Sequence, residues 1–327
     1  MGLQLARASV LSISLFTWVV PSSAERSVPT RAHSVIPLSA DLWSEPADLE
    51  RRDLSIGPWG AERAPDPRDL FQFVRPKRHG SSPGLVVRDG RGRTWHVKQG
   101  REAQPEVVVS HVLSAVGYHQ PPVYFVPSFT LADAQGIHDT PGGRFRLSDP
   151  SMADLGEWQW GNNPFTGSTP YSGLLVMLVL FNSADLKNSN NSMYAVVAPD
   201  GSVRRWFVVR DLGTSLGATG RFDPTPNDVG VFERRRFITG VIHGYVEFGD
   251  YHAVHSDLLV GRIRPDDVRW ACGLLGRLSE RQWHDAFRGA GYEPATAARF
   301  VRRIVHKIDE GRALGSSSFR TSARVLR

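Results

Sequence analysis

A single cysteine, Cys272, stands among 327 residues, so no intrachain disulfide can hold this chain together. It falls on an apolar helix position and reads as a core residue. No internal repeat is present, and no zinc-finger, RNA-binding or helix-turn-helix pattern, so nucleic acid is not an expected partner. The long apolar run Tyr171 to Phe181 is too short to cross a bilayer, and no stable membrane span is expected. Basic residues are scattered, with an Arg-rich N-terminal stretch and C-terminal tail adding to a net charge of +6. That balance suits an anionic ligand such as a nucleotide. The 41% hydrophobic content over this length is enough to bury a sizeable core.

The first residues read as a secretory signal. Arg7 gives a positive start, Val10 to Val20 an apolar stretch, and Ser22-Ser23-Ala24 a small-residue cleavage site. Residues 1–24 are therefore expected to be removed near Ala24, leaving an exported protein, periplasmic or secreted. Residues 25–66, rich in Pro, Arg, Asp and Ser with isolated Trp43 and Trp59, read as an extended segment able to pack across the domain surface. The C-terminal part is helical by pattern. Val268, Ala271, Leu274, Leu275 and Leu278 form one stripe, Ser279 with Gln282 a capping box, and Phe300, Ile304 and Ile308 a last stripe. Residues 313–327 read as a disordered tail.

What the chain does have is two polar runs set between apolar ones. Asp185-Leu186-Lys187-Asn188-Ser189-Asn190 follows the helix expected over Tyr171 to Phe181. Two strand patterns, Met193 to Val197 and Val203 to Val209, are joined by Pro199-Asp200-Gly201 and deliver the chain to Asp211-Leu212-Gly213. Upstream, Leu85 to Arg88 and Thr94 to Lys98 form a hairpin around Asp89-Gly90-Arg91-Gly92 that places Lys98 on a strand. Phe71 to Val74 reads as a strand before it, and Pro76 to Gly84, which contains His79, Gly80 and Ser81, as a basic turn able to lie over phosphates. Val123 to Phe129 reads as a further strand. Val107, Val108, His111, Val112 and Ala115 form a helix stripe after Pro105, with Glu106 in its first turn. Glu106 is the natural ion-pair partner for Lys98, and Glu102 the reserve. Ser215 lies in a Gly-x-Ser-x-Gly run, but no hydrolase context follows it.

Taken in order, Val97-Lys98, Glu106, Asp185-x-Lys187-x-x-Asn190 and Asp211-Leu212-Gly213 resemble the motifs of atypical, protein-kinase-like phosphotransferases over residues 70 to 310. The likeness is to compact bacterial members, toxin-type and spore-coat or secretory kinase-like proteins. It implies an α+β, bilobal fold: a small β-rich N-lobe at 67–135 and a mainly helical C-lobe at 136–312. It implies ATP with Mg²⁺ or Mn²⁺ as cofactors. Asp185 would orient the acceptor hydroxyl and Lys187 touch the γ-phosphate. Asn190 and Asp211 would hold the metal, Lys98 with Glu106 would clamp the inner phosphates, and His79, Gly80 and Ser81 would cover them. Asn188 and Asn191 flank Asn190 as substitutes.

The chain also departs from the protein-kinase pattern. Ser183-Ala184 stands where protein kinases have His-Arg, no Ala-Pro-Glu follows Asp211, and only eight positions separate Lys98 from Glu106. Control by loop phosphorylation is not expected. Two functions remain in view: phosphoryl transfer from ATP to a hydroxyl on an unidentified protein or small molecule, or a secreted pseudokinase that binds nucleotide or protein without turnover.

Overall fold

The computed structural model describes residues 38–77, 82–198, 200–220, 225–249 and 251–315. The expected signal peptide, the turn residues His79, Gly80 and Ser81, and the tail beyond 315 lie outside them. In chain order a one-turn helix α1 (Gly60–Arg63) precedes strands β1 (Leu70–Pro76), β2 (Gly84–Arg88) and β3 (Thr94–Lys98). Helix α2 (Ala103–Ala115) and strands β4 (Val123–Asp133), β5 (Gly136–Leu147) and β6 (Met152–Gly156) come next. Helix α3 (Thr169–Leu180) leads to β7 (Asn191–Val197), β8 (Val203–Val209), helix α4 (Val229–Arg234), and the pair β9 (Ile238–Ile242) and β10 (Tyr245–Phe248). Helices α5 (Pro265–Leu275), α6 (Glu280–Gly289) and α7 (Pro294–Arg312) complete an α+β architecture.

The first five strands close into a barrel in the order β1-β2-β3-β5-β4. Side chains alternate across each strand, and Phe71, Trp95, Val97, Phe129 and Phe145 meet inside it. Their rings pack edge to face, with Phe145 against Phe71, Trp95 and Phe129 at centroid distances of 5.4, 6.1 and 5.1 Å. The β2–β3 turn is fixed by Asp89. Its buried carboxylate accepts from the Arg91 and Arg93 backbone and from Trp95 Nε1. The alternate residues His96, Arg144 and Arg146 face the other way and line a cleft.

Strand β5 corrects the expected division of the chain. A boundary after residue 135 falls in the turn of the β4–β5 hairpin, whose register runs from Val123↔Arg146 to Asp133↔Gly136. Pro141, Gly142 and Gly143 interrupt any strand pattern here, for a steric reason. A Cβ on Gly142 would lie 1.8 Å from Val126 O, and one on Gly143 2.2 Å from Lys98 O.

A second, larger apolar cluster joins α2, α3 and the helices from α4 to α7. Helix α3 is apolar on every face because it lies inside this cluster, with Ser168 Oγ capping its start by accepting from Tyr171 N. The segment expected to be extended before residue 66 is instead turned from residue 38 on. Two 3₁₀ turns and α1 bury Leu42, Leu49 and Leu54. It also caps α2: Trp43 Nε1 donates to Val116 O at 2.7 Å and Arg52 to Ser114 O at 2.8 Å.

Truncating the ring at the centre of the barrel tests this packing. Phe145→Ala should destabilise the protein by about 3–5 kcal/mol, read as a lowered urea midpoint. A loss under about 1 kcal/mol would mean that the barrel interior is not close-packed.

Candidate active site

Lys98 ends β3 with its side chain only 2% exposed, and three carboxylates meet its ammonium. Glu106 Oε2 lies at 2.8 Å, Asp211 Oδ1 at 2.6 Å and Glu102 Oε2 at 3.1 Å. Asp211 is 113 residues from Lys98 in sequence, so tertiary structure alone brings them together. Both acidic candidates, Glu102 just before α2 and Glu106 on it, reach the lysine, but they differ in depth. Glu106 is 1% exposed and Glu102 19%. Gly213 lets the Asp-Leu-Gly turn close on the start of α2, since a Cβ there would lie 2.7 Å from Glu102 Cβ.

Glu106 carries more than one lysine. Its Oε1 faces Arg144 Nε at 2.9 Å and accepts from Arg146 at 2.6 Å, and Arg146 also donates to Arg210 O at 2.8 Å. Burial works to raise the Glu106 pKa, but the charges of Arg144, Lys98 and Arg146 outweigh it and hold the carboxyl well below its ordinary value. Burial likewise opposes the charge on Lys98. Glu106 and Asp211 reverse that and hold its pKa above the ordinary lysine value. Burial brings Arg144 down to about 10, so it stays charged at neutral pH. Arg144 and Arg146 were not picked out from the sequence. The alternation Arg144-Phe145-Arg146 was the signal, hidden by the glycines before it.

The Asp185 loop is built from the end of α3. Asn182 takes a left-handed turn at φ 55°, which an asparagine tolerates. Lys307 on α7 holds that turn from inside the core, donating to Leu180 O at 2.8 Å and to Asn182 Oδ1 at 3.0 Å. Tyr251 Oη donates to Ser183 O at 2.5 Å. Asp185 Oδ1 then pairs with Lys187 Nζ at 2.9 Å, and Asn190 Nδ2 donates to Asp185 O at 2.9 Å. The loop joins the lysine cluster through the backbone, where Arg210 N donates to Asn190 O at 2.8 Å beside Asp211. Neither Lys307 nor Tyr251 was legible as a loop anchor.

The three asparagines separate by what they already hold. Asn188 Oδ1 accepts from Trp160 N, and Asn191 is fully buried with Nδ2 donating to Trp158 O. Asn190 has its amide nitrogen turned to Asp185 O, which leaves Oδ1 without a hydrogen bond among the described residues. That oxygen and the part-exposed Asp211 carboxylate are oxygen donors of the type hard divalent cations take, but among the described residues no cluster of three or more His, Cys, Asp or Glu gathers to hold a metal ion. Ser215, by contrast, is fully buried, and among the described residues no helix follows it before α4. A nucleophile elbow is thereby removed.

Beside this cluster lies a cleft of about 590 Å³ between the barrel wall and β6, β7 and Arg210. Val97, Arg144 and Arg146 line it from the barrel, and Met152, Asp154 and Tyr194 from the opposite side.

No family model matches the chain, and no curated protein matches it. Among solved structures it is similar to the proinflammatory kinase CtkA of Helicobacter pylori, over 74% of this chain and 99% of that one, at 10% identity and a TM-score of 0.31. At that score the likeness decides nothing about the site.

Removing the charge of Glu106 tests the cluster. Glu106→Gln leaves three cations against two carboxylates and should cost about 3–5 kcal/mol at pH 7. The sign with pH follows from the depressed carboxyl: the folded state binds fewer protons than the unfolded one. Its stabilisation is therefore complete above the ordinary value of 4.5 and is lost as pH falls below it. Urea midpoints of the wild type should drop from pH 6 towards pH 3 more steeply than those of Glu106→Gln. Parallel profiles would show that Glu106 does not carry the cluster.

Proposed function

We propose that this protein is a protein-kinase-like phosphotransferase, bilobal in plan, that uses ATP with Mg²⁺ or Mn²⁺ to phosphorylate a hydroxyl acceptor. The observation that carries this reading is the meeting of Lys98 from β3, Glu106 from α2 and Asp211 from the turn after β8 at 2.6–2.8 Å. A strand lysine paired to a helix glutamate beside a metal-binding aspartate is the arrangement phosphoryl transfer uses. The barrel would form the smaller lobe, now including β5, and the helices after it the larger.

In this reading Glu106 fixes the Lys98 ammonium, which grips the inner phosphates. Asp211 and the Asn190 amide oxygen would hold the cation, which offsets phosphate charge. Asp185 accepts a hydrogen bond from the acceptor hydroxyl and aims it at the γ-phosphorus. The new acceptor O–P bond forms as the bond to the β-phosphate oxygen breaks. The hydroxyl proton passes to Asp185 and then to solvent. Lys187 lies 2.9 Å from Asp185 and would turn to the transferred group.

The competing reading is a pseudokinase, a nucleotide- or protein-binding module without turnover. One observation favours it: Asp185 is already engaged by Lys187. Two substitutions separate the readings. Asp185→Asn should leave nucleotide affinity by calorimetry nearly intact and lower radiolabel transfer by about 10²–10⁴-fold. Asp211→Asn should weaken metal-dependent nucleotide binding itself. Wild-type protein that binds ATP yet labels neither itself, water nor a broad acceptor panel would leave only the binding module.

A further inference from the structure

The barrel register sets the cleft wall in a grid. Gly84 faces Lys98 and Lys98 faces Arg144, while Val86 faces His96 and His96 faces Arg146. On β1, Arg75 is opposite Val86, and Lys77 N donates to Gly84 O at 3.0 Å. Two rungs therefore cross four strands: Lys77, Gly84, Lys98 and Arg144 on the inner one, and Arg75, Val86, His96 and Arg146 on the outer. The rungs are about 6.7 Å apart and neighbouring strands about 4.8 Å. Arg75, Lys77, His96, Arg144 and Arg146 all line the same cleft.

The charge on this wall is not evenly balanced. Lys98, Arg144 and Arg146 are matched by Glu106, Glu102 and Asp211. Arg210 is matched by Asp154 at 3.1 Å, and the cleft's Asp149 is taken by Arg63. Among the described residues Arg75 has no ion-pair partner, and Lys77 Nζ donates only to Ser82 O at 3.2 Å. Two cations are left over, Arg75 on β1 and Lys77 just after it, one on each rung. Between them and the cluster, His96 is held neutral at pH 7. Partial burial and the charges of Arg146, Arg144, Arg75 and Arg210 bring its pKa down to about 4. A neutral base lying under the outer rung would do nothing for this excess, whereas an anion there would be attracted by it.

We propose that the outer rung, Arg75 with His96 and Arg146, is a second phosphate subsite, so that the ligand lies along the barrel wall as a phosphate chain reaching from Lys98 to Arg75. The inner end of this chain rests on the phosphotransferase reading; the outer end rests on the unmatched Arg75. The same chemistry is supplied by an inorganic polyphosphate or by the phosphates of a nucleotide, and the ligands tested tell these apart.

The experiment is titration calorimetry of the full chain with Mg²⁺ and inorganic tripolyphosphate, ATP or adenosine. Tripolyphosphate should bind within about tenfold of ATP, and adenosine at least about a hundredfold more weakly than either. The variant Arg75→Ala should lose at least about tenfold for tripolyphosphate, as expected for a charge-assisted contact, with thermal melts confirming that it folds. Adenosine that competes with ATP while tripolyphosphate does not would overturn the subsite and place a base under the outer rung. An Arg75→Ala variant with unchanged tripolyphosphate affinity would overturn it as well. ATP turnover without tripolyphosphate binding sinks the subsite alone. Tripolyphosphate binding without transfer from any donor sinks the transferase reading and leaves the subsite standing.

Discussion

One buried carboxylate organises this protein. Glu106 is 1% exposed and faces Lys98, Arg144 and Arg146 at 2.6–2.9 Å. Three elements must be correctly placed for that contact to exist. The hairpin must end β3 on Lys98, α2 must start just after it, and β5 must lie next to β3 in the register that sets Lys98 opposite Arg144. A slip of one residue in β5 would send both arginines into the barrel and Phe145 out of it. The apolar and ionic patterns of β5 therefore enforce the same register from opposite faces. Burying the ions brings little net stability, because desolvation offsets much of the attraction. What it secures is geometry, with each partner fixing the position of the others.

The second constraint comes from the helical side. Helix α3 ends inside the core, and its last carbonyls would be costly to leave without donors. Lys307, fully buried, supplies one to Leu180 O and ties the same ammonium to Asn182, lying 4.0 Å from the centre of the Phe232 ring. The loop that carries Asp185 thus leaves the core in a fixed direction. Asn190 then hands its carbonyl to Arg210 N, so the Asp185 loop and the turn that carries Asp211 are linked through backbone and not through flexible side chains.

Much of this was legible because it is local. The β2–β3 hairpin, α3 and the β7–β8 pair announce themselves by apolar runs and turn residues, and with them Lys98, Asp185, Asn190 and Asp211 take their places in order. Glu106 was legible only as one of two acids, because helix spacing cannot say which is deeper; both in fact reach Lys98. The β5 strand was not legible. Its glycines exist to let backbones approach, which removes the side chains a strand pattern needs, and its arginines look like surface charge until α2 is packed over them. Lys307 was hidden for a similar reason: a lysine beside Ile308 in a surface-type helix gives no hint that its ammonium ends among carbonyls of another helix. The segment before residue 66 was legible as one able to pack across the surface, but its turns were not, because its order comes from Trp43 and Arg52 reaching α2, contacts far apart in sequence.

The cluster's charge balance limits how the site can work. Three cations and three carboxylates meet at Lys98 when no ligand is counted, and of the acids Asp211 is the most accessible at 34% exposure. If Asp211 turned to a cation, Lys98 would lose its nearest partner at 2.6 Å and keep only Glu106 and Glu102. An exposed pair would lose little by this, but at 2% exposure the lysine must regain an anion. A phosphate arriving with the cation supplies it. On the proposed function, metal and phosphate would therefore be coupled through one side chain, each making room for the other.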